Sequence, residues 1–318
     1  MSLCEKKHCP SCKASDVQRH GKSHHGKRRW LCLICGRTFS WTNRLNKRFR
    51  QKIWFRKWIV EGYSLRQLSD QSGHSISTLQ RINSYWLSQI PKQRGNWSKD
   101  RYLIFDGTMF ENRRGPFVVM NALTHCILYA EAHICEGPSD LKKFCDYLWN
   151  YGLSPQSATL DGNPHLIRIL RTLWPQILIQ RCLVHIQRQG LMWCRQYPKR
   201  IDAKHLRKIF LGVSSIRHSS DKSCFLTQVY RWEDKYGQRI ATSAETGWVF
   251  SDLKRARSML LTALPDMFYY LQDHNIPHST NALEGYFSRL KQKYRQHRGL
   301  AKHHRLAYFN WFFHLCQR

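Results

Sequence analysis

Apolar positions along this chain change period several times, and each change marks a different element. Between about residues 46 and 88 they recur at helical spacing. Ile53, Trp54, Trp58 and Ile59 form one stripe, Leu65 and Leu68 a second, and Ile76, Leu79 and Ile82 a third. Three short helices are predicted, the second opened by the capping-box sequence Ser64-Leu-Arg-Gln67 and closed by the turn at Gly73. The phase of the third leaves Ser75, Ser77, Thr78, Gln80 and Arg81 toward solvent. From Arg101 onward, apolar runs of strand length take over. Strands are predicted at 101–105, 117–124 and 126–133, an amphipathic helix at 139–151, then strand 157–161, helix 163–173, strand 177–182 and a helix from about Leu183.

Before the first helix the pattern is neither helical nor alternating; cysteine, histidine and lysine dominate. Cys9-Pro-Ser-Cys12 and Cys32-Leu-Ile-Cys35 form two CxxC knuckles separated by enough chain for a β-hairpin. Four thiolates in that spacing suit one tetrahedral Zn²⁺, and a segment so short and polar has no other means of folding. Between the knuckles, Lys27, Arg28 and Arg29 precede Trp30, a basic run with one aromatic that suits a phosphate backbone. The composition therefore divides the chain into a zinc ribbon at 1–45, a helix-turn-helix unit at 46–90, a linker at 91–100 and an α/β region at 101–318.

Charge narrows the partner. Against 21 acidic residues stand 52 Lys and Arg, a formal charge of +31, more than solubility requires and in keeping with a polyanion such as double-stranded DNA. Read as Ser75, Ser77, Thr78, Gln80 and Arg81 of a recognition helix, the third helix would meet bases and phosphates in a major groove. No apolar run approaches the ~20 residues of a membrane span, and no signal-peptide core follows Met1. The expectation is a cytoplasmic, nucleoid-associated protein with no membrane partner. Of its 12 cysteines, those outside the knuckles lie scattered in apolar segments, as reduced thiols do.

Three acids stand out from this basic background. Asp106 ends the first predicted strand of the α/β region and Asp161 the fourth, while Glu284 opens a late helix whose Leu283, Phe287 and Leu290 face inward. Three antiparallel strands followed by helix, strand, helix, strand, helix is the order of the ribonuclease H-like fold, in which the first and fourth strands are neighbours. The two aspartates would then face each other and could hold two Mg²⁺ (or Mn²⁺) ions for an in-line phosphodiester displacement. Each acid has a plain structural reading too: Asp106-Gly107 and Asp161-Gly162 are turn dipeptides, and Glu284 follows Asn281 at capping distance. Glu245 and Asp252 are rival third acids. Arg289, Lys291, Lys293, Arg295 and Arg298 beside Glu284 would supply phosphate contacts.

Asp161-Gly-Asn, then Gln180-Arg-Cys182-Leu-Val-His185, then Asn281-Ala-Leu-Glu284 resemble the DDE transposases of prokaryotic insertion sequences related to the Mutator-like elements, which carry a C/DxxH motif before the Glu. The segment from Cys9 to Ser40 is similar to the zinc ribbon of other insertion-sequence transposases. The resemblance implies that Asp106, Asp161 and Glu284 bind the catalytic metals, with Cys182 and His185 supporting the site. It implies a helical insertion at about 190–275, and binding of terminal inverted repeats followed by cleavage and joining to target DNA. It also implies a homodimer or larger even assembly on DNA, for which Trp193, Trp232, Trp248, Phe268, Tyr269, Trp311, Phe312 and Phe313 offer a contact surface. A domesticated, non-cleaving regulator and a structure-selective nuclease of the same fold are the alternatives.

Overall fold

The computed structural model describes residues 8–24, 26–40, 44–91, 95–110, 114–297 and 299–316. Its first element is a small antiparallel sheet of β1 (Val17–Lys22), β2 (Arg28–Cys32) and β3 (Thr38–Phe39), whose side chains are mostly exposed. So small a sheet buries too little apolar surface to stand on packing alone.

Three helices follow: α1 (Arg44–Arg56), which runs on through a π-type turn at Lys57–Glu61, α2 (Leu65–Ser72) and α3 (Ile76–Leu87). The capping box at α2 forms as expected: the Gln67 amide donates to Ser64 Oγ, the Ser64 amide donates to Gln67 Oε1, and Gly73 closes the helix in the left-handed region. Two of the expected inward residues point outward, however, Ile53 at 55% and Ile76 at 45% exposure. Phe55 takes the buried place instead. The reason lies outside the three helices. Phe55 packs against Trp86 and against Trp311 near the C-terminus (ring centroids 6.1 and 5.3 Å), so the apolar face of α1 turns toward a helix some 250 residues away in sequence.

That distant partner is α12 (Lys302–Leu315), which follows α11 (Asn281–Arg295). One apolar cluster joins Phe55, Trp58, Ile59, Leu68, Leu79 and Ile82 to Leu283, Phe287 and Leu290 of α11 and to Tyr308, Phe309, Trp311 and Phe312 of α12. The same helices add side-chain bonds to backbone carbonyls of the π-type turn and of the end of α3. The Tyr308 hydroxyl donates to Ile59 O (3.0 Å), His297 Nε2 lies 2.9 Å from Trp58 O, and Trp311 Nε1 donates to Trp86 O (2.7 Å) and Gln89 O (3.0 Å).

The larger sheet has the order β6-β5-β4-β7-β8, built from β4 (Tyr102–Gly107), β5 (Arg114–Asn121), β6 (Ile127–Cys135), β7 (Ser157–Leu160) and β8 (Leu178–Arg181). β4–β6 form an antiparallel meander; β7 then joins the free edge of β4 in parallel, and β8 joins β7 in parallel. The parallel strands need crossovers, supplied by α4 (Pro138–Asn150) and α5 (Pro164–Leu173). Leu103 and Phe105 meet these two helices, while Ile104 belongs to the cluster with Leu283 and Phe287 of α11. Since strand side chains alternate, Asp106 shares the Ile104 face, the one α11 covers.

After α6 (Leu183–Cys194) the chain is helical up to α11: α7 (Ile201–Gly212), α8 (Ser219–Trp232), α9 (Gln238–Thr242) and α10 (Trp248–Ala263), with π-type and 3₁₀ turns between them. These helices share a separate apolar cluster with α6. Their aromatics largely serve that purpose. Trp232 and Phe268 are buried there and Trp311, Phe312 and Phe313 in the α12 cluster, so five of the eight aromatics expected at a subunit contact are core residues of their own chain. Trp193 and Tyr269 pack against the cluster; Trp248, at 73% exposure, remains on the surface. No helix is long and apolar enough to cross a membrane among the described residues.

Candidate functional site

Two centres emerge, one of sulfur and one of oxygen. At the first, Cys9 and Cys12 lie in a tight turn before β1, Cys32 ends β2, and Cys35 sits in the turn beyond it. Both turns are closed alike, by Lys13 N to Cys9 O (2.9 Å) and Gly36 N to Cys32 O (2.9 Å). Lys13 and Gly36 hold φ of 61° and 65°, the left-handed conformation that folds a knuckle back on itself. The Sγ atoms of Cys9 and Cys35 are 3.7 Å apart, those of Cys12 and Cys32 3.5 Å, and all four lie within 4.8 Å of one another. A tetrahedral Zn²⁺ with bonds of about 2.3 Å separates its sulfurs by about 3.8 Å, so the four cysteines form a plausible structural zinc site. Lys27 and Arg28 are exposed, whereas the half-buried Arg29 donates to Thr38 Oγ1.

The oxygen centre is laid down by strand register. β4 and β7 pair Leu103 with Ala158 and Ile104 with Thr159; continued two residues, that register sets Asp106 beside Asp161. Each acid accepts a local backbone N–H, Asp106 Oδ1 from Gly107 (2.9 Å) and Asp161 Oδ1 from Asn163 (3.0 Å). Burial pushes the Asp106 carboxyl up to about 7, with the neighbouring Asp161 and Glu136 adding to the rise and His185 opposing it.

Glu136 escaped the sequence reading. It follows the last residue of β6, just before Gly137 and Pro138 open α4, so it closes its strand as Asp106 and Asp161 close theirs. Its carboxylate lies over Gly107, where an added β-carbon would stand 2.2 Å from Oε1. Burial first, then Asp161, raises its pKa. Asn163 ties this corner together: Nδ2 donates to Glu136 O (3.1 Å) while Oδ1 caps α5 by accepting from the amides of His165 and Leu166. An acid closing a third strand of the sheet was the signal available.

The strand-end motif Gln180-Arg-Cys182 grips the segment that returns to α11. Gln180 Nε2 donates to Met267 O (2.9 Å), the Leu183 amide to His278 O (2.9 Å), and the Thr280 amide to Cys182 Sγ (3.3 Å). Thr159 Oγ1 adds a bond to Pro277 O (2.8 Å). Behind Asp161, the buried Arg181 donates from Nη2 to Asp161 O (3.2 Å) and fills the space over Gly162, whose φ is +106°. Cys182 and His185 pair side by side, Sγ to Nδ1 at 3.2 Å. Burial pushes the Cys182 thiol up, but the bond and charge of His185 together with the backbone amides of His185 and Thr280 lower it on balance; the bond to Cys182, with Asp106 and Asp161 nearby, lifts His185 to about 9.

Glu284 stands on the far side of that imidazole. His185 Nε2 is 3.8 Å from Glu284 Oε1, and Arg188 Nη1 holds both Glu284 oxygens at 2.9 Å. Among the described residues, the four cysteines alone bring three or more ligand atoms within 4.8 Å of one another; the carboxylates of Asp106, Asp161 and Glu284 form no such group. The rival acids lie in the helical segment, Glu245 paired with Arg200 and Asp252 with Arg195 and Arg255. Of the basic residues beside Glu284, Arg289 and Arg295 are exposed, Lys291 lies over Phe110, Lys293 Nζ is spent on Glu61 O (2.7 Å), and Arg298 falls outside the described residues. On α3, Ser75 Oγ accepts from the Thr78 amide as the helix cap, Arg81 donates to Thr78 Oγ1, and Ser77 and Gln80 are exposed.

Residues 6–36 match the family model described as InsA N-terminal domain, a zinc ribbon. The four clustered cysteines fall inside that match, and a ribbon of this kind, typical of insertion-sequence transposition proteins, points to DNA binding. No curated protein matches the chain.

Proposed function

We propose that this chain is a DNA transposase of the DDE type, which binds terminal inverted repeats and carries out metal-dependent strand cleavage and strand transfer. The observation that carries the reading is the parallel register of β4 and β7, which continued two residues sets Asp106 beside Asp161, with Glu284 one imidazole away on a helix that returns from about 120 residues downstream. The sheet order and its crossovers support a ribonuclease H-like core, and the run of helices between α6 and α11 is in keeping with the expected insertion. The capped pair α2 and α3 supports a helix-turn-helix, with Gln80 and Arg81 its readers.

The donor set fits a hard cation. Asp106, Asp161 and Glu284 offer only carboxylate oxygens, as Mg²⁺ or Mn²⁺ prefers, whereas Cys182 is occupied by His185 and Thr280. Two such ions, when bound, supply charge for the attacking and leaving oxygens of an in-line displacement. The chain's own part is placement. Asn163 and Arg181 fix the turn that presents Asp161, and Cys182 and Thr280 hold the imidazole between the aspartates and Glu284. Lys27, Arg28, Arg289 and Arg295 are the exposed cations that would follow the DNA backbone.

Asp161→Asn and Glu284→Gln should each abolish cleavage and joining of a labelled terminal-repeat duplex while DNA affinity stays within about twofold. Strand transfer surviving in Asp161→Asn removes the proposal. Cleavage with no joining by the wild type would make the enzyme a nuclease.

A further inference from the structure

Glu284 carries a partly exposed ion pair with Arg188, one imidazole away from the paired strand ends. In the helical segment, Arg200 and Arg239 hold an acid that is itself buried, Asp202 at 1% side-chain exposure, whereas the Glu284 side chain is 30% exposed. The Arg188 side chain is 61% exposed, and both its contacts to Glu284 come from Nη1 alone rather than from two nitrogens of the guanidinium fork. Arg200 grips Asp202 through two nitrogens, Nε and Nη2, whereas Arg171 on Asp266 uses one nitrogen as Arg188 does. Arg188 is also one turn from His185 on α6, on the face that borders the paired aspartates.

Charge decides what such a residue can do. With only protein groups present, Arg188 neutralises Glu284 across from two further acids. A divalent cation held by Asp106 and Asp161 offers Glu284 a stronger partner, and the guanidinium loses its own. A DNA phosphate entering the site would be an oxyanion able to replace it. Resting on the acid-site reading above, we infer that Arg188 is a phosphate-binding residue of this site which the metal-free protein keeps engaged with Glu284, so that its contact with the DNA strand becomes available only once a divalent cation has drawn Glu284 away.

The test is DNA affinity with and without Ca²⁺, a divalent ion of the right charge that supports little chemistry. Fluorescence anisotropy of a terminal-repeat duplex should show Arg188→Ala binding like wild type in EDTA. In Ca²⁺ it should bind about tenfold more weakly, with the log–log salt slope reduced by about 1. Without DNA, Arg188→Ala should bind Ca²⁺ more tightly than wild type by calorimetry, because no guanidinium competes for Glu284. Arg188→Lys should share that tighter binding while keeping most of the DNA affinity. Because the side chain is largely exposed, unchanged melting of both variants is expected. An equal loss in EDTA and Ca²⁺, or no loss in either while wild type still responds to Ca²⁺, overturns the assignment of Arg188 alone. A wild type whose melting and DNA affinity ignore Ca²⁺, or respond identically in Asp161→Asn, overturns the acid-site reading and this inference with it.

Discussion

Replacing Asp106 by Asn should make the metal-free protein more stable and the enzyme inactive, and the pH at which the stability gain appears is set by the site. Burial, abetted by Asp161 and Glu136, holds the Asp106 proton up to about 7, some three units above an aspartate of the unfolded chain. Below about pH 4 both states are protonated and the residue is neutral to stability. Between about pH 4 and 7 the unfolded chain releases the proton while the folded chain retains it, so stability falls by up to ~1.4 kcal/mol per pH unit and levels off above 7. The full cost at pH 8 is at most ~4 kcal/mol. Asparagine has no charge to bury, and its Oδ1 can still accept the Gly107 amide at the observed 2.9 Å. At roughly 2 °C per kcal/mol for a chain of this size, Asp106→Asn should melt up to about 8 °C above wild type in EDTA at pH 8, and together with it near pH 4.5. Adding Mg²⁺ or Ca²⁺ should reverse the order, raising the wild-type melting temperature and leaving the variant unmoved. Thermal melts at the two pH values, each with and without the cation, provide the four measurements. A variant that is less stable than wild type at pH 8 in EDTA, or a gap that does not close toward pH 4.5, refutes the account of a destabilised acid kept for function.

Cys32→Ser should abolish binding of about one Zn²⁺ per chain and unfold the ribbon, because metal binding supplies that segment's folding free energy; amide exchange that stays protected in residues 8–40 of a zinc-free protein would contradict this. Gly162→Ala forces a side chain into φ +106° with its β-carbon 2.0 Å from the Arg181 guanidinium, and should cost more than about 2 kcal/mol, whereas Gly26→Ala, at φ +71° with nothing within 4 Å, should cost about 1. Comparable melting temperatures for the two variants would remove Arg181 from its place behind Asp161. Gln80→Ala and Arg81→Ala should lower preference for the terminal repeat over random DNA, while Lys27→Ala and Arg28→Ala should weaken both alike; a uniform loss from the first pair would make α3 a phosphate clamp.

Local pattern fixed what depends on local geometry. Two CxxC pairs must fold into knuckles that meet, since nothing else closes a segment with so little core, and four sulfurs do gather there. Apolar period marked strands and helices of the α/β region to within a few residues, because alternation and the 3.6-residue turn are properties of the backbone itself. Asp106 and Asp161 were legible because each ends a strand, and the partner of a strand follows from the order of its connections. Which side of α1 is buried was not, since Ile53 and Phe55 fit helical stripes equally well and only the arrival of Trp311 decides between them. Glu136 and Arg188 were missed for the same reason. Glu136 closes a strand as the two aspartates do, but its meaning comes from Gly107 and Asp161, and that of Arg188, which no pattern marks, from a carboxylate 96 residues away. Charge and hydrogen bonding act through space at a few ångströms, so the sequence determines which acids and bases exist, and only the packed chain determines which of them face one another.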